Sequence, residues 1–156
     1  MRVLAIDPGF GRCGVAILEK DGSEISVIYS SCIETSTKFS FPERLARVAN
    51  ECAVLLKRYK PASVALERLY FTSNQKTAMQ VAEVRGALIY AAASYGVPVF
   101  EYTPQQVKSA TTGSGGADKR SVAAMLKTLL KIKKDIQYDD EYDAIAVGLT
   151  HLASTR

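Results

Sequence analysis

The apolar positions run in two rhythms. Val3-Leu4-Ala5-Ile6 is an unbroken apolar run that predicts a short buried strand over Arg2 to Ile6, halted by Asp7-Pro8-Gly9. Cys13 to Glu19 and Glu24 to Glu34 read as two more strands, joined at Asp21-Gly22, a strong hairpin signal. The rhythm then changes. After Pro42, the residues Leu45, Val48, Ala49, Cys52, Leu55, Leu56 and Tyr59 recur at helical spacing until Pro61. Ser63 to Tyr70 predicts a fourth strand, and Thr72 to Lys76 a polar loop.

Thr77 to Tyr95 predicts a helix that is apolar nearly all round, from Met79 and Val81 through Leu88 to Ala91. Such a helix is either central or one half of a subunit interface. A fifth strand runs from Gly96-Val97-Pro98 to Tyr102, and a short helix from Pro104 leads to Gly113-Ser114-Gly115-Gly116. Asp118 caps a helix to about Ile132, and the last helix starts near Asp139 or Asp140. The order β-β-β-α-β-α-β-α-α-α predicts an α/β fold: one five-stranded mixed sheet with helices on both faces. No repeat or second domain is visible, so residues 1–156 read as a single domain.

Composition narrows the class. Hydrophobic residues make up 47% and charged residues 23%, as in an ordinary water-soluble globular protein. No run of ~18 apolar residues is present and Asp7 interrupts any leader, so a cytoplasmic protein without a membrane span is expected. Cys13, Cys32 and Cys52 are odd in number and lack a CxxC pair, which argues for buried inert thiols. His151 is the only histidine, which excludes histidine-based zinc chemistry and disfavours a Ser-His-Asp triad.

The net charge of +4 matters less than its distribution. Between Glu101 and Lys134 there are seven basic residues and two acids, whereas Asp135 to Asp143 holds five acids and no base. A metal-using enzyme acting on a polyanion needs such a juxtaposition, although two solvated helix faces would produce it too. Arg120, Lys127, Lys131 and Lys134 share one predicted helix face, opposite Val122, Met125, Leu126 and Leu129. That stripe suits a DNA backbone and equally suits a solvated amphipathic helix.

Two glycine motifs mislead. Gly9 to Gly14 spells GxGxxG after a strand, but the dinucleotide fingerprint needs a helix next and Val15-Ala16-Ile17-Leu18 leads into a hairpin. Gly113 begins a phosphate-loop-like stretch in which Asp118 replaces glycine and Arg120 replaces Ser/Thr.

The carboxylates carry more. Asp7 ends a buried strand beside glycines, at the rim of a sheet, where a turn-starting Asp would also fit. Glu67 lies in a strand expected to be covered on both faces, so it needs a partner or a cation. Arg68 cannot serve, because neighbours on a strand point to opposite faces. Asp140 and Asp143, three apart, project from one helix face that continues through Val147 and His151. The dipole alone explains acids in a first helical turn, including Asp139 and Glu141. Together these acids would supply rigid oxygen ligands for two metal ions that assist an in-line displacement.

Ile6-Asp7-Pro8-Gly9, Leu66-Glu67-Arg68, Val99-Phe100-Glu101-Tyr102, Gln106-Val107-Lys108 and Asp140-Glu141-Tyr142-Asp143-Ala144 follow one another in an order that resembles the RuvC family of bacterial Holliday junction resolvases, over essentially the whole chain. The resemblance implies a ribonuclease-H-like fold, a homodimer, and two Mg²⁺ ions per site with Mn²⁺ as a substitute. It implies Asp7, Glu67, Asp140 and Asp143 as catalytic metal ligands. Lys108 falls near the scissile phosphate and Lys119 along the DNA, with Arg120 beside it. Tyr70 or the adjacent Phe71 would stack on bases at the junction centre. The implied reaction is paired nicking of four-way DNA junctions in recombination and repair, leaving 5′-phosphate and 3′-hydroxyl ends, with the RuvA–RuvB branch-migration complex as a partner. The competing readings are a ribonuclease-H-like enzyme acting on another nucleic acid such as RNA, and a junction-binding protein without catalysis. An actin-like ATPase would need two such domains around its nucleotide.

Overall fold

The computed structural model describes residues 1–69 and 75–155. The elements follow in the order β1 (Arg2–Asp7), β2 (Arg12–Asp21), β3 (Glu24–Glu34), α1 (Phe41–Tyr59), β4 (Ser63–Glu67), α2 (Gln75–Ser94), β5 (Val99–Tyr102), α3 (Pro104–Thr112), α4 (Lys119–Leu129) and α5 (Asp139–Ser154). This is the order that the periodicity predicts. The five strands form one mixed sheet arranged β3-β2-β1-β4-β5. β1 pairs antiparallel with β2 and parallel with β4, while β5 runs parallel to β4. Gly22, at φ 57°, makes the β2–β3 turn that the Asp21-Gly22 pair announces.

Alternation sorts each strand between two cores. Val3, Ala5, Ala16, Leu18 and Ala65 face α3, α4 and α5, packing on Val107, Val122, Leu126, Ile145 and Leu152. Leu4, Ile6, Val15, Ile17, Val64 and Leu66 face α1 and α2, packing on Val48, Cys52, Leu56, Val84 and Leu88. Each fully buried Leu or Ile contributes roughly 1.5–3 kcal/mol, so both helical layers are held chiefly by these contacts. Cys13 and Cys52 are buried and Cys32 is half-buried, and none is bridged. Burial pushes the Cys32 thiol up to about 11 and that of Cys52 to about 12, so both stay protonated and unreactive. Among the described residues, no helix is long and apolar enough to cross a membrane.

Three boundaries differ from the sequence-based expectation. β4 ends at Glu67, with the Arg68 N–H donating to the Tyr102 carbonyl in continuation of the β4–β5 ladder, while Tyr70, the predicted strand end, lies outside the described residues. The chain is already helical at Gln75, where a loop to Lys76 is predicted. α4 stops at Leu129, and Lys131 adopts a left-handed φ of 51°, so Lys131 and Lys134 do not continue the basic helix stripe. The predicted face of Arg120, Lys127, Lys131 and Lys134 therefore loses its last two members. Asp118 caps α4 as expected, accepting from the Ser121 N–H at 2.8 Å.

His151 has a structural role. It is buried at the far end of α5, with Nε2 2.7 Å from Ser63 Oγ on β4 and Nδ1 2.8 Å from the Tyr102 hydroxyl on β5. Burial lowers its pKa below the ordinary imidazole value, so the folded state keeps it neutral. Its contribution to stability is intact above about pH 6.5 and is lost as the pH falls through the lowered value. Urea unfolding at pH 7.5 and pH 5.0 should show wild type losing more stability on acidification than His151→Gln. Equal losses would leave His151 without this role.

Candidate active site

The sheet brings Asp7 and Glu67 together by register. Ile6 pairs with Leu66 on the parallel β1 and β4, so the next residues stand side by side at the carboxyl ends of both strands. Alternation puts Asp7 on the face of Val3 and Ala5, and Glu67 on the face of Ser63 and Ala65. That face is covered by α5, whose first two turns carry Asp140 and Asp143. The carboxyl ends of parallel strands are where open α/β sheets bind their ligands.

Electrostatics ties the group together. Burial raises the Asp7 pKa well above the usual carboxylate range, and the nearby charges of Glu67, Asp143 and Asp140 raise it further. Burial also raises Glu67, with Asp143 adding to it, while Lys119, contact with the Asp7 carboxyl and Lys108 pull it back. Asp143 is raised by burial against the opposing pull of Lys119. The Lys119 ammonium donates to Asp143 Oδ2 at 3.0 Å. Burial disfavours its charge, but the hydrogen bond and the attraction of Asp143 outweigh that, and its pKa rises. Arg12 sits 3.3 Å from Asp140 Oδ2 and stacks over the Tyr138 ring.

A cleft of about 240 Å³ opens beside these acids, lined by Glu67, Pro104, Val107, Lys108, Lys119, Val122, Asp143 and Ala146. Asp7, Glu67, Arg68 and Arg85 line a smaller recess of about 50 Å³ towards α2. Two larger hollows of about 520 Å³ each lie along β3, and none of the four acids lines either one.

The structure thus brings Asp7, Glu67, Asp140, Asp143 and Lys119 into one cluster, with Lys108 on the cleft wall. Arg120 is exposed on the first turn of α4 and lines neither recess. Tyr70 and Phe71 lie outside the described residues. The expectation that Glu67 sits inside a strand covered on both faces is corrected: it is the last residue of β4 and only half-buried. Arg68 does not pair with it, as alternation requires, and instead lies 3.5 Å from Glu101, which Arg85 also binds.

Hard oxygen donors on rigid elements suit Mg²⁺ or Mn²⁺ rather than a soft metal. Mutual repulsion that raises the carboxyl pKa values is relieved when a cation joins them. Among the described residues, no three such side chains are gathered tightly enough to hold an ion as they stand. Lys119 and Arg12 instead pair with Asp143 and Asp140 of α5. Sequence reasoning missed three features. Arg12 appeared only as filler in a glycine motif. Gly14 opposes Asp7 in the hairpin register, and a Cβ built on it would fall 1.7 Å from the Asp140 carbonyl oxygen. Glu141 appeared as a mere dipole acid but is buried.

Comparison with known proteins finds relatives along nearly the whole chain. A family model described as crossover junction endodeoxyribonuclease RuvC matches residues 3–151. The chain is 40% identical to the crossover junction endodeoxyribonuclease RuvC of Brevibacillus brevis, over 97% of this chain and 91% of that protein. It is 41% identical to that of Thermosipho melanesiensis, over 100% and 99%. Thermus thermophilus RuvC in complex with a Holliday junction substrate superposes with a TM-score of 0.91 at 33% identity, over 97% of this chain and 93% of that one. The yeast mitochondrial Holliday junction resolvase Ydc2 shares the fold, with a TM-score of 0.72 at 15% identity.

Proposed function

The chain belongs to the RuvC family of crossover junction endodeoxyribonucleases, and on that premise we propose that it resolves four-way DNA junctions by paired nicks placed symmetrically across the two-fold axis. The observation that carries the reading is the convergence of acids from three elements, β1, β4 and α5, beside the lysine-walled cleft. A non-catalytic junction binder would have no use for buried, mutually repelling carboxylates.

Asp7, Glu67, Asp140 and Asp143 would hold the metal, which we take to be two Mg²⁺ ions with Mn²⁺ as a substitute. When bound, the metal supplies Lewis acidity that activates water and stabilises the leaving 3′ oxygen. The four acids fix the direction from which the phosphate is approached. Lys108 on the cleft wall places positive charge where negative charge develops on the scissile phosphate. Lys119, paired with Asp143 and largely exposed, would be free to contact the DNA backbone where a cation took its place on that carboxylate. Arg120, exposed next to it, adds a phosphate contact. Tyr70 or Phe71 stacks on bases at the junction centre. The products carry 5′-phosphate and 3′-hydroxyl ends.

Residues 1–156 act as one nuclease domain in the cytoplasm, in recombination and repair, with the RuvA–RuvB complex delivering the junction. The working unit is a homodimer built on α2. One side of that helix, Val84, Leu88 and Ala92, is buried on the sheet. The other side presents Met79 and Tyr90, which are 71% and 75% exposed, in line with the small residues Ala82 and Gly86. A two-fold dimer sets two sites against the matching symmetry of a junction.

The decisive comparison uses a synthetic four-way junction and a linear duplex of the same arm sequence, with and without Mg²⁺. The junction should be nicked at paired positions into products that a DNA ligase reseals. Linear duplex should survive, and so should the junction in EDTA. Equal cutting of duplex and junction would overturn the proposal.

A further inference from the structure

We infer that Glu141 is a positioning residue of the nuclease site: anchored to Ser30 and Lys134, it sets the rotation of α5 and so aims Asp140 and Asp143 at Asp7 and Glu67. The inference rests on the proposed nuclease reading. It concerns an acid that this reading leaves unused.

Glu141 is 4% exposed, whereas Asp139 two residues earlier is exposed. Its Oε1 accepts from the Ser30 hydroxyl on β3 at 2.5 Å and from the Lys134 ammonium at 2.7 Å. The same ammonium donates to the Ser30 carbonyl oxygen at 2.7 Å, which closes a three-membered network. The network joins three separate pieces of chain: the outer strand of the sheet, the segment between α4 and α5, and the first turn of α5.

A buried carboxylate with two charge-assisted or short hydrogen bonds has one place to go. Residues on a helix turn by about 100° each, so fixing Glu141 against β3 fixes the directions of the acids beside it. A second rung strengthens the lock, because the Tyr138 hydroxyl donates to Glu34 Oε2 at 3.0 Å further along the same strand. Two rungs on one strand set both rotation and tilt. The need for them is plain from the helix start, since Tyr138 occupies the N-cap position without a side-chain cap bond. The first turn of α5 is held by the sheet instead of by its own cap.

The test uses the full chain with Glu141→Leu, Glu141→Gln and Ser30→Ala, alongside Asp7→Asn. Single-turnover nicking at saturating junction is compared with Mn²⁺ binding measured by calorimetry without DNA. Glu141→Leu should nick about 10–100-fold more slowly and bind Mn²⁺ about 10-fold more weakly, the range for groups that orient metal ligands. Its affinity for the junction in EDTA should equal that of wild type. Glu141→Gln keeps an acceptor oxygen for Ser30 and should recover most of the rate, with Ser30→Ala falling between. Wild-type nicking and Mn²⁺ affinity in a folded Glu141→Leu would overturn the inference. If that variant does not fold, Ser30→Ala decides: unchanged rate and Mn²⁺ affinity there would overturn it equally. Failure of the nuclease reading looks different, because wild type would then not nick the junction, or Asp7→Asn would nick it as fast as wild type.

Discussion

Asp7→Asn is expected to slow junction nicking by about 10³-fold, the scale on which a metal ligand or a preorganised charge-stabilising group acts. Asp7 is the most strongly perturbed of the four acids, raised by burial and by Glu67, Asp143 and Asp140. Replacing it removes a ligand oxygen and one negative charge with little change in shape. The metal-free protein should therefore keep or gain stability, since the substitution relieves repulsion. The Mg²⁺-induced rise in Tm should shrink at the same time. A general folding defect would lower both quantities, so the opposite signs identify a ligand.

The same shifts set the pH dependence. Carboxyls whose pKa is raised on folding favour the folded state below their ordinary range, and that contribution is lost as the pH rises through the raised values. Protons and metal compete for the same oxygens. The Mg²⁺-induced rise in wild-type Tm should thus be larger at pH 8 than at pH 6, and the difference should be smaller in Asp7→Asn. A wild type whose Tm ignores Mg²⁺ at both values would count against a shared cation site.

Gly14→Ala is expected to cost about 1–3 kcal/mol of stability as an overpacking change. It should also slow nicking by about 10²-fold, the price of a displacement near 1 Å at a reacting centre. The reason is a backbone-to-backbone contact. The added Cβ would lie 1.7 Å from the Asp140 carbonyl oxygen and 2.4 Å from its carbon, and neither atom can yield by changing rotamer. The start of α5 must therefore move away from β2, carrying Asp140 with it. Urea unfolding and single-turnover rates measure the two effects separately. A Gly14→Ala protein with wild-type stability and rate would show that β2 and α5 have room to spare.

The two glycine motifs show how context separates chemistry from scaffold. Gly9 to Gly14 leads into β2, not into a helix, so no pyrophosphate site forms there. Gly14 instead lets β2 lie against the start of α5. The basic stripe teaches the reverse lesson. Lys134 matches the spacing of a DNA-tracking helix face, yet α4 ends at Leu129 and the Lys134 ammonium binds Glu141. Helical spacing says nothing about whether the helix continues.

Local pattern was sufficient for the element order, the hairpin at Gly22, the α4 cap at Asp118 and the strand-end acid Asp7, because burial period and turn chemistry act over a few residues, but it placed Glu67 inside its strand rather than at the end. It could not choose among Asp139, Asp140, Glu141 and Asp143, since the helix dipole favours any acid in a first turn. That choice depends on how α5 is rotated against the sheet. The rotation is set by partners more than a hundred residues away in sequence, Gly14 on β2 and Ser30 on β3. Tertiary packing therefore decided which acids of α5 face Asp7 and Glu67, and which one anchors the helix that carries them.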